Sequence, residues 1–253
     1  KVGGSGGISP DMSKLLIEGP MAEDKSTFLL GVRSSYSNWI LRQLDDVTLQ
    51  QSSAWFMDIN GKLTFDLNEK NSLYVSGYYS RDHFDYYSET AYKYSNAAAT
   101  VTWKNILSNK LFSLYSLVYS SYRYETSNTY DTLAASTMDY SLDQYRADIE
   151  YTWYPASAWK VNFGLNSTWY KLNPGSLLPY GSRSLVIPKD LENEHGLESA
   201  LFISSDYEIN SRITISGGLR ASLLLKFGPD TQYLYMDPEE RSTETISGTR
   251  SYE

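Results

Sequence analysis

Polar and apolar residues alternate with a period of two over most of this chain. From residue 58 one side reads Ile59, Gly61, Leu63, Phe65 and Leu67, while the other reads Asp58, Asn60, Lys62, Thr64 and Asp66. Successive side chains of a strand point to opposite faces, so such a run predicts a two-faced β-strand. After the turn-forming stretch 68–71, Leu73, Val75, Gly77 and Tyr79 alternate with Tyr74, Ser76, Tyr78 and Ser80. The pattern recurs at 96–103, 146–153, 160–170 and 212–222, and less cleanly at 111–124 and 197–207. Residues 14–18 and 26–33 complete a set of about ten strands, and a helical stretch fits only at 36–44.

Segments of roughly ten alternating residues are what a membrane β-barrel requires, because lipid-facing and lumen-facing side chains take turns along each strand. The connections agree. Those at 19–25, 68–71, 104–109, 155–158 and 208–211 are short and rich in turn formers, whereas 34–52, 82–91, 125–139, 173–194 and 226–250 are longer and polar. Short and long alternate as tight periplasmic turns and extracellular loops do in transmembrane barrels. Trp103, Trp153, Tyr154 and Trp159 fall beside short turns, and Tyr92, Tyr94, Tyr119, Tyr122, Tyr124, Tyr140 and Tyr170 fall near the long loops. Amphipathic rings favour the headgroup region, so both groups are expected to form girdles at the two membrane faces. The fold class predicted is all-β: a transmembrane antiparallel β-barrel, with residues 1–253 forming about ten strands of one larger barrel domain. Inward-running short-turn strands would place both chain ends outside, and complete bacterial barrels have even strand counts, so further strands are expected on both sides.

Composition narrows the possibilities. The 253 residues include 23 Tyr and 6 Trp but no Cys, which removes disulfides, thiolate metal sites and cysteine nucleophiles. A net charge of -8 argues against nucleic acid as a partner, since phosphates need a basic surface. No stretch approaches the roughly 20 apolar residues of a spanning helix. The start, Lys1-Val-Gly-Gly-Ser-Gly-Gly7, has no apolar core of a signal peptide and reads as the flexible end of a strand or hairpin, either processed or internal to a longer protein.

Candidate chemistry is sparse. Arg81-Asp-His-Phe-Asp85 sets carboxylates beside an imidazole, but neighbours on a strand face opposite ways, so Asp82 and His83 would not meet. His195 lies among Glu192 and Glu194 in an acidic lead-in to a strand, and the run 237–244 is acidic; both suit solvated loop better than a metal site. No Gly-x-Ser-x-Gly elbow or phosphate-loop lysine occurs. Hence no catalytic, cofactor-binding or metal residues are assigned. Charges opposite the apolar stripe form a more informative set: Asp58, Lys62, Asp66, Arg146, Asp148, Glu150, Lys160 and Arg220. Facing hydrocarbon, a charge would cost on the order of 2–4 kcal/mol at mid-depth, so this side is expected to line the lumen and to touch a plug or a substrate.

Two stretches resemble a known family. Ser13-Lys-Leu-Leu-Ile-Glu-Gly-Pro20, followed by Asp24-Lys-Ser-Thr-Phe-Leu-Leu-Gly-Val-Arg-Ser-Ser-Tyr-Ser-Asn-Trp-Ile-Leu41, is similar to the barrel start of TonB-dependent receptors of the Bacteroidota type, SusC-like or related. Glu198-Ser-Ala-Leu-Phe-Ile-Ser-Ser-Asp-Tyr-Glu-Ile-Asn-Ser-Arg-Ile-Thr-Ile-Ser-Gly-Gly-Leu-Arg220 resembles a recurrent hairpin of the same barrels. The resemblance implies a plugged 22-strand barrel, of which this chain would form about half. It further implies nutrient uptake across the bacterial outer membrane with no enzymatic activity, contact with outer-membrane lipid and lipopolysaccharide, the receptor's own plug domain, TonB as the energy-coupling partner, and in SusC relatives a surface lipoprotein lid. Two alternatives stand beside it: a smaller outer-membrane barrel protease or lipase using His83, and a soluble all-β binding module.

Overall fold

A computed structural model describes residues 1–22, 25–87, 89–228, 230–235 and 245–252. The strands in chain order are β1 Gly3–Ile8, β2 Met12–Ala22, β3 Ser26–Ser35, β4 Ser53–Asn68, β5 Asn71–Tyr86, β6 Thr90–Ser108 and β7 Leu111–Asn128. They continue with β8 Ser136–Ala156, β9 Trp159–Pro179, the short β10 Lys189–Asp190, β11 Glu194–Asn210, β12 Ile213–Phe227, β13 Asp230–Tyr235 and β14 Ile246–Tyr252. Two single-turn helices, α1 Asn38–Leu41 and α2 Val47–Gln50, lie between β3 and β4. Eleven strands pair in the order β1-β2-β3-β4-β5-β6-β7-β8-β9-β11-β12, with β10 added beside β9, and β13-β14 form a separate hairpin. Every pairing is antiparallel between neighbours, so the chain is a continuous meander.

The ten predicted strands are all present, and the structure corrects three boundaries. β1 is an additional strand, made possible because its glycines let the backbone lie flat against β2 across Gly3–Glu18 to Ile8–Ser13. Strand extends into the expected loops 82–91, 125–139 and 173–194: β5 runs to Tyr86, β7 to Asn128, β8 starts at Ser136 and β9 reaches Pro179. In these extensions one face is mainly polar and the other largely tyrosine, so the apolar–polar alternation fades while the hydrogen-bonded ladder continues. The predicted helix shrinks to α1, and α2 is added where Asp46 accepts from Thr48 N–H at 2.8 Å and Leu49 N–H at 3.2 Å as its N-cap. The loop carrying both helices is pinned to the β1–β2 turn, where Trp39 Nε1 donates to the Pro10 carbonyl at 2.9 Å. A tight turn joins β5 and β6; Tyr87 takes φ +54° there and its N–H donates to buried Ser52 Oγ at 3.0 Å.

Register aligns the apolar positions of every strand on one face. Ile17 opposes Leu30, Leu30 opposes Gly61, and Leu63 opposes Val75. Val75 opposes Val101, Val101 opposes Leu117, and Ile149 opposes Leu165, then Leu201 and Ala221. Among the described residues no second layer covers this stripe: substantial contacts between elements join sheet neighbours, apart from α1 against β4. Leu117, Leu201 and Leu219 therefore stay 65%, 63% and 79% exposed, while the buried set is dominated by Ser, Thr and Asp. Among the described residues no large side chain is fully buried. A soluble domain buries its apolar face against another layer, so this sheet is built for an apolar solvent.

Aromatic rings bound the stripe. Tyr79, Tyr119, Tyr145 and Trp169 mark one rim, with Tyr119 and Tyr145 centroids 5.1 Å apart. Trp103, Trp153, Trp159 and Tyr207 mark the other, where Trp103 Nε1 donates to Asn71 at 3.0 Å and Trp159 Nε1 to Ser205 at 2.7 Å. On β8 the rims are the eight steps from Tyr145 to Trp153. That is roughly 26 Å along the strand and about 20 Å across a bilayer at usual barrel tilt, close to the apolar height of known barrels. The tyrosine girdle expected at the long-loop end is thus corrected. Of its seven members only Tyr119 lies on the apolar face; Tyr92, Tyr94, Tyr122, Tyr124, Tyr140 and Tyr170 lie on the opposite one. At the other rim Tyr154 pairs edge-on with Phe112, on the polar side, at 5.9 Å.

Two outcomes follow. Leu63→Arg or Ile149→Arg should abolish assembly into outer-membrane fractions, whereas Thr64→Arg or Asp148→Arg should not; equal loss from both faces would contradict the assignment. An added Cβ at Gly164 would run into the Ile149 backbone carbonyl oxygen of β8 first and the Phe202 ring, at 2.8 Å, second. Gly164→Val should therefore lower the unfolding temperature of the assembled barrel, and adding Phe202→Ala should leave most of that loss in place, because the backbone contact cannot yield; full recovery by Phe202→Ala would contradict this.

Candidate functional site

The polar face carries an ordered set of charged and hydroxyl groups. Arg33 and Asp58 are direct cross-strand partners on β3 and β4. Arg33 Nε donates to Asp58 Oδ2 at 2.7 Å, a second guanidinium nitrogen contacts the same oxygen, and the Tyr78 hydroxyl donates to Oδ1 at 3.1 Å. The guanidinium also lies 5.0 Å over the Phe56 ring. Asp58 is buried, and its two oxygens are satisfied within this cluster.

All eight charged residues singled out from the sequence share this face by register. They do not form one site. Arg146 Nε donates to both Asp148 oxygens at 2.8 Å, and Asp148 Oδ1 also accepts from Asn166 at 2.6 Å. Asn166 Oδ1 in turn accepts from Arg220 at 2.9 Å, so Arg220, in register with Phe202, reaches diagonally across β11 to the position opposite Ala200. Arg146, Asp148 and Arg220 are thereby one network. Lys62 instead sits 5.6 Å over the Tyr74 ring, and Asp66 accepts from Ser72 Oγ at 2.7 Å near the short-turn end. Glu150 stands opposite Gly164 and Leu114, and Lys160 opposite Asp206.

Beyond the rim, the same face becomes aromatic. Tyr94 and Tyr124 stack obliquely at 5.1 Å, Phe84 and Tyr92 at 6.1 Å, and Tyr122 meets Tyr140 at 6.1 Å. One register row reads Asp82, Tyr94, Tyr124, Tyr140 across β5 to β8. Burial raises the Tyr94 hydroxyl above its ordinary pKa, and the neighbouring Tyr124, Tyr122 and Tyr92 add to this. Burial likewise raises the Asp82 carboxyl; the Asp58 charge adds to the rise and Arg33 opposes it. The cluster is a partly buried, mostly neutral aromatic surface with hydroxyl edges. Sequence reading missed it, together with Arg33 and Asn166. The spacing Tyr92-x-Tyr94 and Tyr122-x-Tyr124 carried the signal, because these tyrosines fall on the parity opposite to Ala97, Ala99 and Val101 on β6 and opposite to Leu117 and Tyr119 on β7.

The histidines lie elsewhere. His83 faces away from Asp82, on the same parity as the apolar stripe, with its ring 6.0 Å from Trp55. His195 packs 5.8 Å from Trp169, its Nδ1 is buried without a partner, and Glu194 points to the opposite face near Lys226 at 3.6 Å. Among the described residues no group of His, Asp and Glu has metal-holding geometry. The acidic run 237–244 lies outside the described residues.

No protein-family model matches the sequence, and no curated protein matches it. Solved structures do match in fold. The ferric preacinetobactin receptor BauA from Acinetobacter baumannii shares 11% identity at a TM-score of 0.65, over 89% of this chain and 41% of that one. The copper transporter OprC shares 10% identity at a TM-score of 0.66, over 99% of this chain and 39% of its own. The ferripyoverdine receptor of the Pseudomonas aeruginosa outer membrane shares 11% identity at a TM-score of 0.66, over 90% and 37%. This chain thus spans about two fifths of the length of the receptors it matches. Its fold is that of a contiguous part of an outer-membrane receptor β-barrel.

Proposed function

We propose that this chain is the first half of the barrel in a TonB-dependent outer-membrane receptor that imports a nutrient, and that the polar face lines its lumen. One observation carries the reading: a single sheet layer with an uninterrupted apolar belt, rimmed by aromatic rings, on one side and bonded charges on the other. That arrangement suits hydrocarbon outside and water or protein inside. The likeness to siderophore and copper receptors supports the same class. The SusC-like affiliation rests on the stretches around Ser13–Pro20 and Glu198–Arg220 alone, and a lipoprotein lid would accompany it.

In this reading the Arg33–Asp58–Tyr78 cluster and the Arg146–Asp148–Asn166–Arg220 network face the plug. The first cluster pairs its own charges, while the second carries two arginines on one carboxylate and leaves Arg220 on the neutral Asn166 amide, so that part of the wall offers the plug a net positive surface. The tyrosine surface beside Asp82 lies at the extracellular mouth and meets the incoming substrate first. Flat rings with hydroxyl edges suit substrates presenting ring faces and hydrogen-bonding edges together. The alternative of a barrel enzyme using His83 draws no support from the geometry, since His83 faces away from Asp82 and lies against Trp55.

The test uses the full-length receptor in its host. Deleting its gene, or TonB, should abolish growth on one member of a panel of limiting ferric chelates, copper, cobalamin and glycans; undiminished growth on all of them would overturn the reading. Tyr94→Ala with Tyr124→Ala should then reduce uptake of that nutrient at least about tenfold, given about 1–3 kcal/mol for ring stacking at such sites. The receptor's amount in the membrane should stay unchanged, and undiminished uptake would remove the tyrosines from the substrate path.

A further inference from the structure

Charge is sorted between the two faces of the strand extensions. Among the described residues that face inward beyond Tyr78 on β5 to β9, Asp82 is the only charged one. The cations of these extensions, Arg81, Lys93, Arg123 and Lys171, all stand at outward parity. Arg33, the inward cation of β3, is already held by Asp58. Among the described residues, therefore, no cation lies within ion-pair distance of Asp82, and no donor hydrogen-bonds to it.

Register places this carboxylate between ring-bearing positions: Phe56 opposes Asp82 on one side and Tyr94 opposes it on the other. Phe56, Asp82, Phe84 and Tyr94 line a cavity of about 280 Å³, which Asp11 of the β1–β2 turn also borders. Trp55 and His83 adjoin it from positions of outward parity. The Phe56 ring already receives one cation, the Arg33 guanidinium 5.0 Å from its centroid, so positive charge is stabilised at this ring. The hydroxyls around the cavity are committed elsewhere. Ser35 Oγ accepts from the Phe56 N–H at 2.8 Å, and Ser37 Oγ donates to the Ala54 carbonyl at 3.1 Å.

We propose that the cavity between Phe56, Asp82 and Tyr94 binds a methylated ammonium group, and that the imported nutrient carries one. The proposal deepens the receptor reading above and rests on it. A carboxylate shielded by rings is costly until a cation meets it, and the ring faces attract that same cation through their quadrupoles. A neutral sugar ring would stack on the tyrosines but leave Asp82 unpaired. With both hydroxyls committed, few acceptors remain for N–H donors, which favours an ammonium whose charge is spread over methyl groups. Rings cannot ligate a metal ion, and no carboxylate cluster here has metal-holding geometry among the described residues. The volume falls just under the range of about 300–1,000 Å³ usual for whole ligands. It therefore suits a headgroup, with the rest of the substrate lying along Tyr124 and Tyr140 in the same register row.

The test uses the purified full-length receptor in a non-ionic detergent, titrated with choline and followed by saturation-transfer NMR. Choline should bind saturably, and its uncharged isostere 3,3-dimethyl-1-butanol at least about tenfold more weakly. Asp82→Asn and Phe56→Leu should each lower choline affinity by a similar factor, whereas Glu208→Gln, at the short-turn end of the same face, should not. Retention of SDS-resistant, heat-modifiable mobility shows that each variant is folded; if Phe56→Leu is not, Asp82→Asn and the comparison of the two probes decide. No binding of choline, equal binding of the two probes, or undiminished binding by folded Asp82→Asn would overturn the proposal. So would displacement of choline by sodium or magnesium at equal concentration, which would reveal a plain inorganic cation site. Failure of the receptor reading shows elsewhere, as a protein missing from outer-membrane fractions or dispensable for growth on every nutrient, whatever the purified protein binds.

Discussion

Everything in this molecule depends on the antiparallel backbone ladder, because the sheet has no second layer to hold it. Each interior strand of the large sheet is secured by hydrogen bonds to its two neighbours, and side-chain packing contributes little burial: large residues such as Leu117, Leu201 and Leu219 remain open on the apolar face. In water such a sheet would expose a continuous apolar surface that soluble proteins do not tolerate. In hydrocarbon the balance reverses. No solvent competes for the backbone groups, so a complete ladder becomes the condition for existing there at all, and the exposed leucines are already solvated.

That constraint explains how polar residues are arranged. Where strands cross the belt, charges keep to one face and are bonded to each other, as in Arg33–Asp58–Tyr78 and in the chain from Arg146 through Asp148 and Asn166 to Arg220. Beyond the rim the constraint lifts. β8 and β9 each run for 21 residues, about twice what a tilted strand needs to cross a membrane, and their outer halves carry polar groups on both faces. The two faces of these extensions then diverge in chemistry. One carries charged groups beyond the apolar stripe, Lys93 with Glu125 and Arg123 with Asp143 among them, and the other carries the stacked tyrosines.

The tyrosines illustrate why position along a strand is not enough. Tyr119 and Tyr122 are three residues apart on β7, yet one lies on the lipid-facing rim against Tyr145 and the other on the opposite face against Tyr140. Abundance and proximity to loops suggested one girdle. Parity divides them into two groups with different surroundings. The same logic separates His83 from Asp82, and there it was legible in advance, because the two are adjacent and must point apart.

Alternation by itself determined the strand count near ten, the antiparallel meander, the lipid-facing stripe and the common face of Asp58, Lys62, Asp66, Arg146, Asp148, Glu150, Lys160 and Arg220. These properties are local: a period of two needs no knowledge of which strand comes next. Where the strands end was decided by tertiary structure, since a ladder can continue where the apolar–polar alternation fades, as β5 to β9 do. So was the membership of each cluster. Asn166 joins Arg220 diagonally across β11 because register sets small Ala200 opposite Asn166, and Phe202 covers Gly164 because register sets those two opposite each other.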